Sequence, residues 1–546
     1  MIRLSKDFLN NQCFLPVKRE IFKYLLFLNI ISNLGYAIYF HDFFSVFSMI
    51  MLAASLAYIE TGMYIMVKQR TIQRIFLVLL ILIHNILIVI DYYLIWNFHK
   101  TIGQDIVDIV AETNSVEAEN FIIAYLTMKS VCLWLLTLFL MNLCVCWLSK
   151  YLKNIIFYWI CFVSVMLGFG ILLVGVYNYS FYRNGMAIPQ YQTLTRLGYS
   201  LYVLHQRVKD NEVLYHVCHQ TEAKSTQNNQ PSVVVVIGES FSLYHSSLYG
   251  YEKCTNPLLE KRKKNSELFV FDNALSIASA THKAMESIFS LDSLGCDFER
   301  YPLFPACFKS AGYKTFMYDN QYFVGDGVNF LADSKLSKLL FDRRNTRRFS
   351  YDLDMVNSIE TSSSPSLYVI HLWGQHYTYR ERYPSEYQYF NASDYDSKRW
   401  TKEQRDIIAC YDNATRYNDF VINEIIKKIE NRNICMVYFS DHGEEVYELG
   451  NFMGHGTAEH SKDLRYQIRV PFMIWISPSF KRLDIIKKLR ESIHTPIMTD
   501  DVSHFLMDIA GIQTQYFRPT RSFINCQYNL TKPRIVLNSI DFDKQE

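Results

Sequence analysis

The sequence predicts a chain in two parts: a five-helix transmembrane bundle, then an α/β domain on a mostly parallel sheet. Three observations carry this. Long apolar stretches crowd the first third, strand-length apolar runs alternate with helical patterns from residue 233 onward, and side chains able to do chemistry gather just after those runs. At 546 residues the chain also exceeds one ordinary core, so more than one domain is expected.

The apolar stretches fall at roughly 21–40, 43–67, 74–97, 121–149 and 155–177, each long enough to cross a bilayer. Arg3, Lys6, Lys18 and Arg19 precede the first, Lys68, Arg70 and Arg74 lie between the second and third, and Lys150 and Lys153 between the fourth and fifth. The loop 98–120 is acidic, with Asp105, Asp108, Glu112, Glu117 and Glu119. Basic residues stay on the cytoplasmic side, so the N-terminus is expected there and the C-terminal two-thirds outside. The first span then serves as an uncleaved anchor. The expected division is 1–178 for the membrane domain, 179–230 for a bridging helix and linker, and 231–546 for the external domain.

Within the bridge, an amphipathic helix is expected around 195–209, and "TEAKSTQNNQPS" reads as a linker. Strands follow in "VVVVIG", "LFVFDNAL", "KTFMYDN", "SLYVIHLWG", "NICMVYFSDHG" and "VPFMIWIS", with helical periodicity clearest over 401–430 and 499–510. Strands alternating with helices argue for a largely parallel sheet covered on both faces, with ligand-binding groups at the carboxyl ends of its strands. A net charge of +2 leaves no basic footprint, and no nucleic-acid partner is expected. Of twelve cysteines seven lie outside the membrane part, an odd number that leaves one or more free. Cys296 and Cys307 are the nearest pair in sequence in a compartment that permits disulfides, and Cys435 reads as a small core residue.

The strand ends carry Glu239, then Asp319 and Asn320, then His371 with Gln375 and His376, then Asp441-His442-Gly443-Glu444. Gly454-His455-Gly456 comes later, and Thr281 opens the helix-like "THKAMESIFSL". A buried charge is costly unless it is paired or bound to a metal. Glutamate, aspartate and histidine form a ligand set for Zn²⁺, and a threonine hydroxyl in the open position of such a site becomes a nucleophile near neutral pH. Taken singly, Thr281 reads as a helix N-cap, Asp-His-Gly as a turn and Gly-His-Gly as a loop. Their joint occurrence after buried strands points to a metal-dependent site.

The stretches "IGESFSLYHSSLYGYEKCTNP", "ATHKAMESIFS", "HLWGQHYTYRERYP", "FSDHGEEVYELGNFMGHG" and "QIRVPFMIWISP", in this order behind five spans, resemble the phosphoethanolamine transferases of the alkaline phosphatase and sulfatase superfamily. The resemblance implies zinc, one ion tightly bound with a second optional, on Glu239, Thr281, Asp441 and His442. Thr281 would also be the phospho-acceptor. It assigns His376 and His455, and more weakly His371, to the phosphoryl group or a second zinc, and Glu117 to the donor headgroup. The implied reaction takes phosphoethanolamine from phosphatidylethanolamine to an envelope acceptor, lipid A or lipopolysaccharide core, at the bacterial inner membrane with the catalytic domain in the periplasm. A monomer is expected. The region 276–290 lacks the cysteine pair of better-known relatives, and Asp326 stands near where a lysine is common after "YDN". Glycerophosphate transfer of the lipoteichoic acid synthase type, a sulfatase-like or phosphatase-like hydrolase, and a non-catalytic membrane sensor are the alternatives. "GYEKCTNP" argues against the first, and a threonine at 281 cannot become formylglycine.

Overall fold

The computed structural model describes residues 15–40, 43–98, 100–112, 128–151, 155–182, 193–226, 229–292, 298–321, 329–456, 463–480 and 482–545. The chain divides into two compact units, Met1–Arg207 and Val208–Glu546.

The first unit is helical: α1 (Glu20–Phe40), α2 (Phe43–Met66), α3 (Arg70–Phe98), α4 (Met128–Tyr151) and α5 (Ile155–Tyr182). Among the described residues, Val46–Met66, Arg70–Phe98 and Val131–Lys150 are long and apolar enough to cross a membrane, and Ile156–Ile171 is a shorter apolar helix. Ala53, Ala54 and Ala57 of α2 are buried with Cys161 and Val165 of α5. Small side chains let two backbones approach closely, and Ser55 Oγ donates to Val165 O at 2.9 Å. Polar groups inside this unit pair with each other. Glu60 accepts from Asn29 at 3.0 Å and meets His84 at 2.9 Å, while Asp91 pairs with Arg196 at 2.5 Å. Arg196 belongs to α6 (Thr193–His219), a helix longer than the expected 195–209, and the division between the units falls within it.

The second unit is built on seven strands: β1 (Ser232–Gly238), β2 (Leu268–Phe271), β3 (Lys314–Asp319), β4 (Arg343–Arg344), β5 (Ser366–His371), β6 (Ile434–Ser440) and β7 (Phe472–Ile476). Their order across the sheet is β2-β7-β6-β1-β5-β3-β4. The run from β6 to β4 is parallel, and β7 is antiparallel to both of its neighbours. The segment read as a linker also contributes structure, because Lys224 and Ser225 pair with Gln513 and Ile512.

The apolar run that opens β1 follows from burial on both faces. Val233, Val235 and Ile237 pack with Met285, Ile288 and Phe289 of α7 (Thr281–Phe289), whereas Val234 and Val236 pack with Val421, Ile422 and Ile425 of α8 (Lys402–Ile429). Side chains alternate faces along a strand, so a strand covered on both sides has no position for a polar residue. Each fully buried valine or isoleucine contributes about 1.5–3 kcal/mol.

Candidate active site

Gly238 at the end of β1 pairs directly with Ser440 at the end of β6, so Glu239 and Asp441 leave adjacent parallel strands side by side. Asp441 N–H donates to Gly238 O at 3.0 Å, Ser240 N–H to Asp441 Oδ1 at 3.2 Å, and Ser240 Oγ to Glu239 Oε1 at 2.7 Å. Ser240 has φ 54°, in the left-handed region that a non-glycine residue seldom adopts. The loop after β5 presses on the same point. Gly374 has φ 48°, and a Cβ there would lie 2.9 Å from Glu239 N.

Thr281 is the first residue of α7, and its Oγ1 lies 3.1 Å from Glu239 Oε2 and 3.2 Å from His442 Nε2. His442 Nδ1 donates to Gly443 O at 2.8 Å, which leaves Nε2 as the nitrogen facing the threonine. Gly443 admits the chain behind it, since a Cβ would meet Tyr466 O at 2.4 Å. The segment before Thr281 is held by hydrogen bonds. Ser276 N–H donates to Ile468 O at 2.8 Å, Ser276 Oγ to Asp441 O, and Gly456 N–H to Ser279 O at 2.7 Å. Three such bonds hold this stretch to the loops after β6 with no cysteine among residues 276–290. Cys307 is a free, buried thiol, and Cys296 lies outside the described residues.

His455 brings its ring centroid to 4.2 Å from that of His442, and its Nδ1 meets Glu444 Oε2 at 2.7 Å. Glu444 is buried and takes Tyr379 OH on its other oxygen at 2.5 Å. His376 is half-buried, near enough for its charge to act on Glu239. His371 sits behind Glu239. Its Nδ1 meets Asp319 Oδ1 at 3.0 Å and its Nε2 accepts from Gln321 Nε2 at 2.9 Å, the same amide that donates to Glu239 Oε2 at 3.0 Å. Arg344 pairs with Asp319 at 3.1 Å and completes the chain. Glu117 and Asp326 lie outside the described residues. The strand-end pattern leaves Glu444, Gln321 and Tyr379 without roles. Only Glu444 carries a signal, its place directly after Asp-His-Gly.

Glu239, His442 and His455 offer ligand atoms all within 4.8 Å of one another. Glu239, Asp441 and His442 are fully buried, and Asp441 Oδ2 has no hydrogen bond. Burial opposes ionisation of Glu239, yet the hydrogen bond and charge of His442, with the charges of His376 and His455, hold its carboxyl well below the ordinary range. Burial and then the Glu239 charge push Asp441 up to about 6. Burial would lower His442, but Asp441 and Glu239 outweigh it and raise the imidazole to about 10. Two crowded carboxylates, one with an oxygen that has no hydrogen bond and lies 3.4 Å from His442 Nε2, and imidazole nitrogens fit a divalent cation of the zinc type.

A parallel sheet with this constellation on its carboxyl edge defines a class, and the sulfatase family model matches residues 231–512. The chain belongs to the sulfatase family. Among curated relatives, phosphoethanolamine transferase EptC of Escherichia coli is 27% identical over 474 residues, 81% of this chain and 80% of its own length. Phosphoethanolamine transferase EptA of Helicobacter pylori is 29% identical over 310 residues, 54% of this chain and 57% of its own. The crystal structure of the C-terminal periplasmic domain of the E. coli EptC in complex with Zn is 27% identical, with a TM-score of 0.52 over 59% of this chain and 96% of that one. The integral membrane transferase EptA of Neisseria meningitidis covers 92% of this chain and 97% of its own at TM-score 0.61; at 18% identity it speaks for the fold alone, helical membrane part and α/β domain together. These relatives bear out the resemblance drawn from the motifs.

Proposed function

We propose that the chain is a zinc-dependent phosphoethanolamine transferase of the bacterial inner membrane, with its second unit in the periplasm. Phosphatidylethanolamine is the donor, Thr281 carries the group, and an envelope acceptor of the lipid A or lipopolysaccharide core type receives it. The observation that carries this reading is Thr281 Oγ1 within 3.1 Å of Glu239 and 3.2 Å of His442, at the start of a helix. Curated relatives named phosphoethanolamine transferases, one of them crystallised with Zn, support the group and the metal.

Glu239, Asp441 and His442, with Thr281, would hold the ion. Bound there, zinc would lower the pKa of the threonine hydroxyl and offset charge on the phosphoryl oxygens. Thr281 Oγ1 attacks phosphorus in line, the bond to the diacylglycerol oxygen breaks, and that oxygen leaves with a proton. His455, aimed by Glu444, and His376 stand where equatorial charge builds up, and the first backbone N–H groups of α7 add their dipoles. An oxygen of the acceptor then attacks the same phosphorus, and Thr281 Oγ1 departs and regains its proton. Glu117 is proposed to pair with the donor ammonium.

Mass spectrometry of the protein incubated with phosphatidylethanolamine tests this. A phosphoethanolamine adduct is expected on Thr281 and lost in Thr281→Ala. An adduct on Ser279, or full transfer by the alanine variant, would remove Thr281 from the role.

A further inference from the structure

A half-open cavity lies on the same edge of the sheet as the candidate active site, and no step above uses it. It has a volume of about 800 Å³ and is lined by Tyr244, Tyr249, Tyr251, Lys263, Asp272 and Arg469, among others. Its position follows from strand register. Phe472, the first residue of β7, pairs with Phe439 of β6 on one side and with Phe271 of β2 on the other. Asp441 and Asp272 follow those two partners by one or two residues, so the cavity lies two strands from the metal-type cluster, about 10 Å at ordinary strand spacing. The segment around Arg469 is a shared wall. Its carbonyl lies 3.1 Å from where a Cβ on Gly443 would be, next to His442.

The lining fits one kind of ligand. Tyr249 OH donates to Phe472 O at 3.0 Å and accepts from Phe472 N–H at 2.8 Å, and Tyr251 OH donates to Asp412 at 2.8 Å. With those hydroxyls engaged, both tyrosines offer the cavity ring surface. Tyr244 is braced by Tyr466 at a centroid distance of 4.6 Å. Beside the rings stand two cations, Lys263 and Arg469, and two carboxylates, Glu252 and Asp272, the second of which holds His494 at 2.6 Å. An apolar ligand would strand these charges, and a bare anion would make no use of the rings. A phosphorylated saccharide uses both, laying C–H faces on aromatic rings, hydroxyls on the two carboxylates and phosphate on the cations.

We propose that this cavity is the subsite that holds the sugar of a phosphorylated glycan acceptor while another of its oxygens reaches Thr281. The proposal rests on the transferase reading above for the role of acceptor, but the binding itself is measurable without it. The two-strand offset implies an acceptor of at least disaccharide length.

The test uses the full chain in nanodiscs, with Tyr244→Ala and Arg469→Ala, and a bisphosphorylated glucosamine disaccharide as probe. Calorimetry should show binding by the wild type, weakened about tenfold or more in each variant. Adduct formation on Thr281 from phosphatidylethanolamine should stay within about twofold of wild type, whereas the KM for the disaccharide in the second step should rise about tenfold with kcat little changed. Equal affinities in wild type and both variants would overturn the subsite, as would equal loss in both half-reactions. Absence of any Thr281 adduct in the wild type would instead sink the transferase reading while the calorimetry still decides whether the cavity takes sugar.

Discussion

Glu444 holds His455 with one oxygen and Tyr379 with the other, at 2.7 and 2.5 Å, so the imidazole is fixed in tautomer and in aim. Carboxylates that orient a histidine in this way change rates by about 10–100-fold when lost. Glu444→Gln is therefore expected to cut transfer by about that factor with zinc content, read by elemental analysis, unchanged; loss of the metal would make Glu444 a ligand instead. Acid should act on the proposed ligands themselves. Asp441 is pushed up to about 6 without metal, so below that value protons compete with zinc for its carboxylate and the apparent zinc affinity should fall by about tenfold for each further unit of pH. An affinity that does not change between pH 7 and pH 5 in a metal-competition titration would contradict the assignment. The sequence showed Glu239, Thr281, Asp441 and His442 as candidates because each follows an apolar run or opens a helical one, whereas His455 stood in a Gly-His-Gly loop and took a role only from the family resemblance. The supporting shell was not legible in the same way. Gln321 reaches Glu239 from a loop 82 positions away, and Tyr379 reaches Glu444 across 65, distances over which no local pattern speaks.

One helix and two loops meet in a buried ion cluster that stiffens the site from behind. His245, in the loop after β1, sits 2.6 Å from Asp412 on α8 and 3.3 Å from Glu448 in the loop after β6, and Tyr251 and Tyr395 add their hydroxyls to Asp412. Burial alone would lower His245, but the two carboxylates raise it from 6.5 to about 10. A raised folded-state value means the pairing stabilises fully below 6.5 and is lost as pH rises through about 10. Urea unfolding of the second unit should show stability falling across that interval, with a flatter profile for His245→Gln; identical profiles would sink the cluster's role. Removing one partner, as in Asp412→Ala, should cost about 3–5 kcal/mol. α8 itself was readable from its periodicity, and its start carries the reciprocal Thr401 and Gln404 cap. The stretch 372–400 was not, because side chains rather than a repeat fix it. Asn413 Oδ1, for example, accepts from the N–H groups of both Tyr389 and Phe390 at 2.7 Å.

At the scale of the whole chain, the second unit holds the sheet, Glu239, Thr281, Asp441 and His442, and, among the described residues, three apolar clusters of its own. Protein beginning at Val208 is therefore expected to unfold cooperatively and to bind zinc, while losing most transfer from bilayer phosphatidylethanolamine and keeping turnover on a short-chain soluble analogue. Equal rates for the truncated and full-length proteins on bilayer donor would reduce the helices to an anchor. The bundle was legible because a span must be both long and apolar, which leaves a signal no soluble helix mimics. Its internal pairs were less so: Glu60 with His84, and Asp91 with Arg196, read in sequence only as polar interruptions, since their partners lie 24 and 105 positions away.

The direct pairing of Gly238 with Ser440 has one more consequence. It makes the spacing between the two carboxylates proposed as ligands a property of the backbone ladder, so the sheet serves as a jig on which the proposed metal seat is cut once. Slippage by a single position would turn Asp441 to the opposite side and abolish the seat outright, which leaves no graded route for drift there. Divergence toward new donors or acceptors is thereby channelled into the loops that ring the seat, where insertions leave the jig untouched.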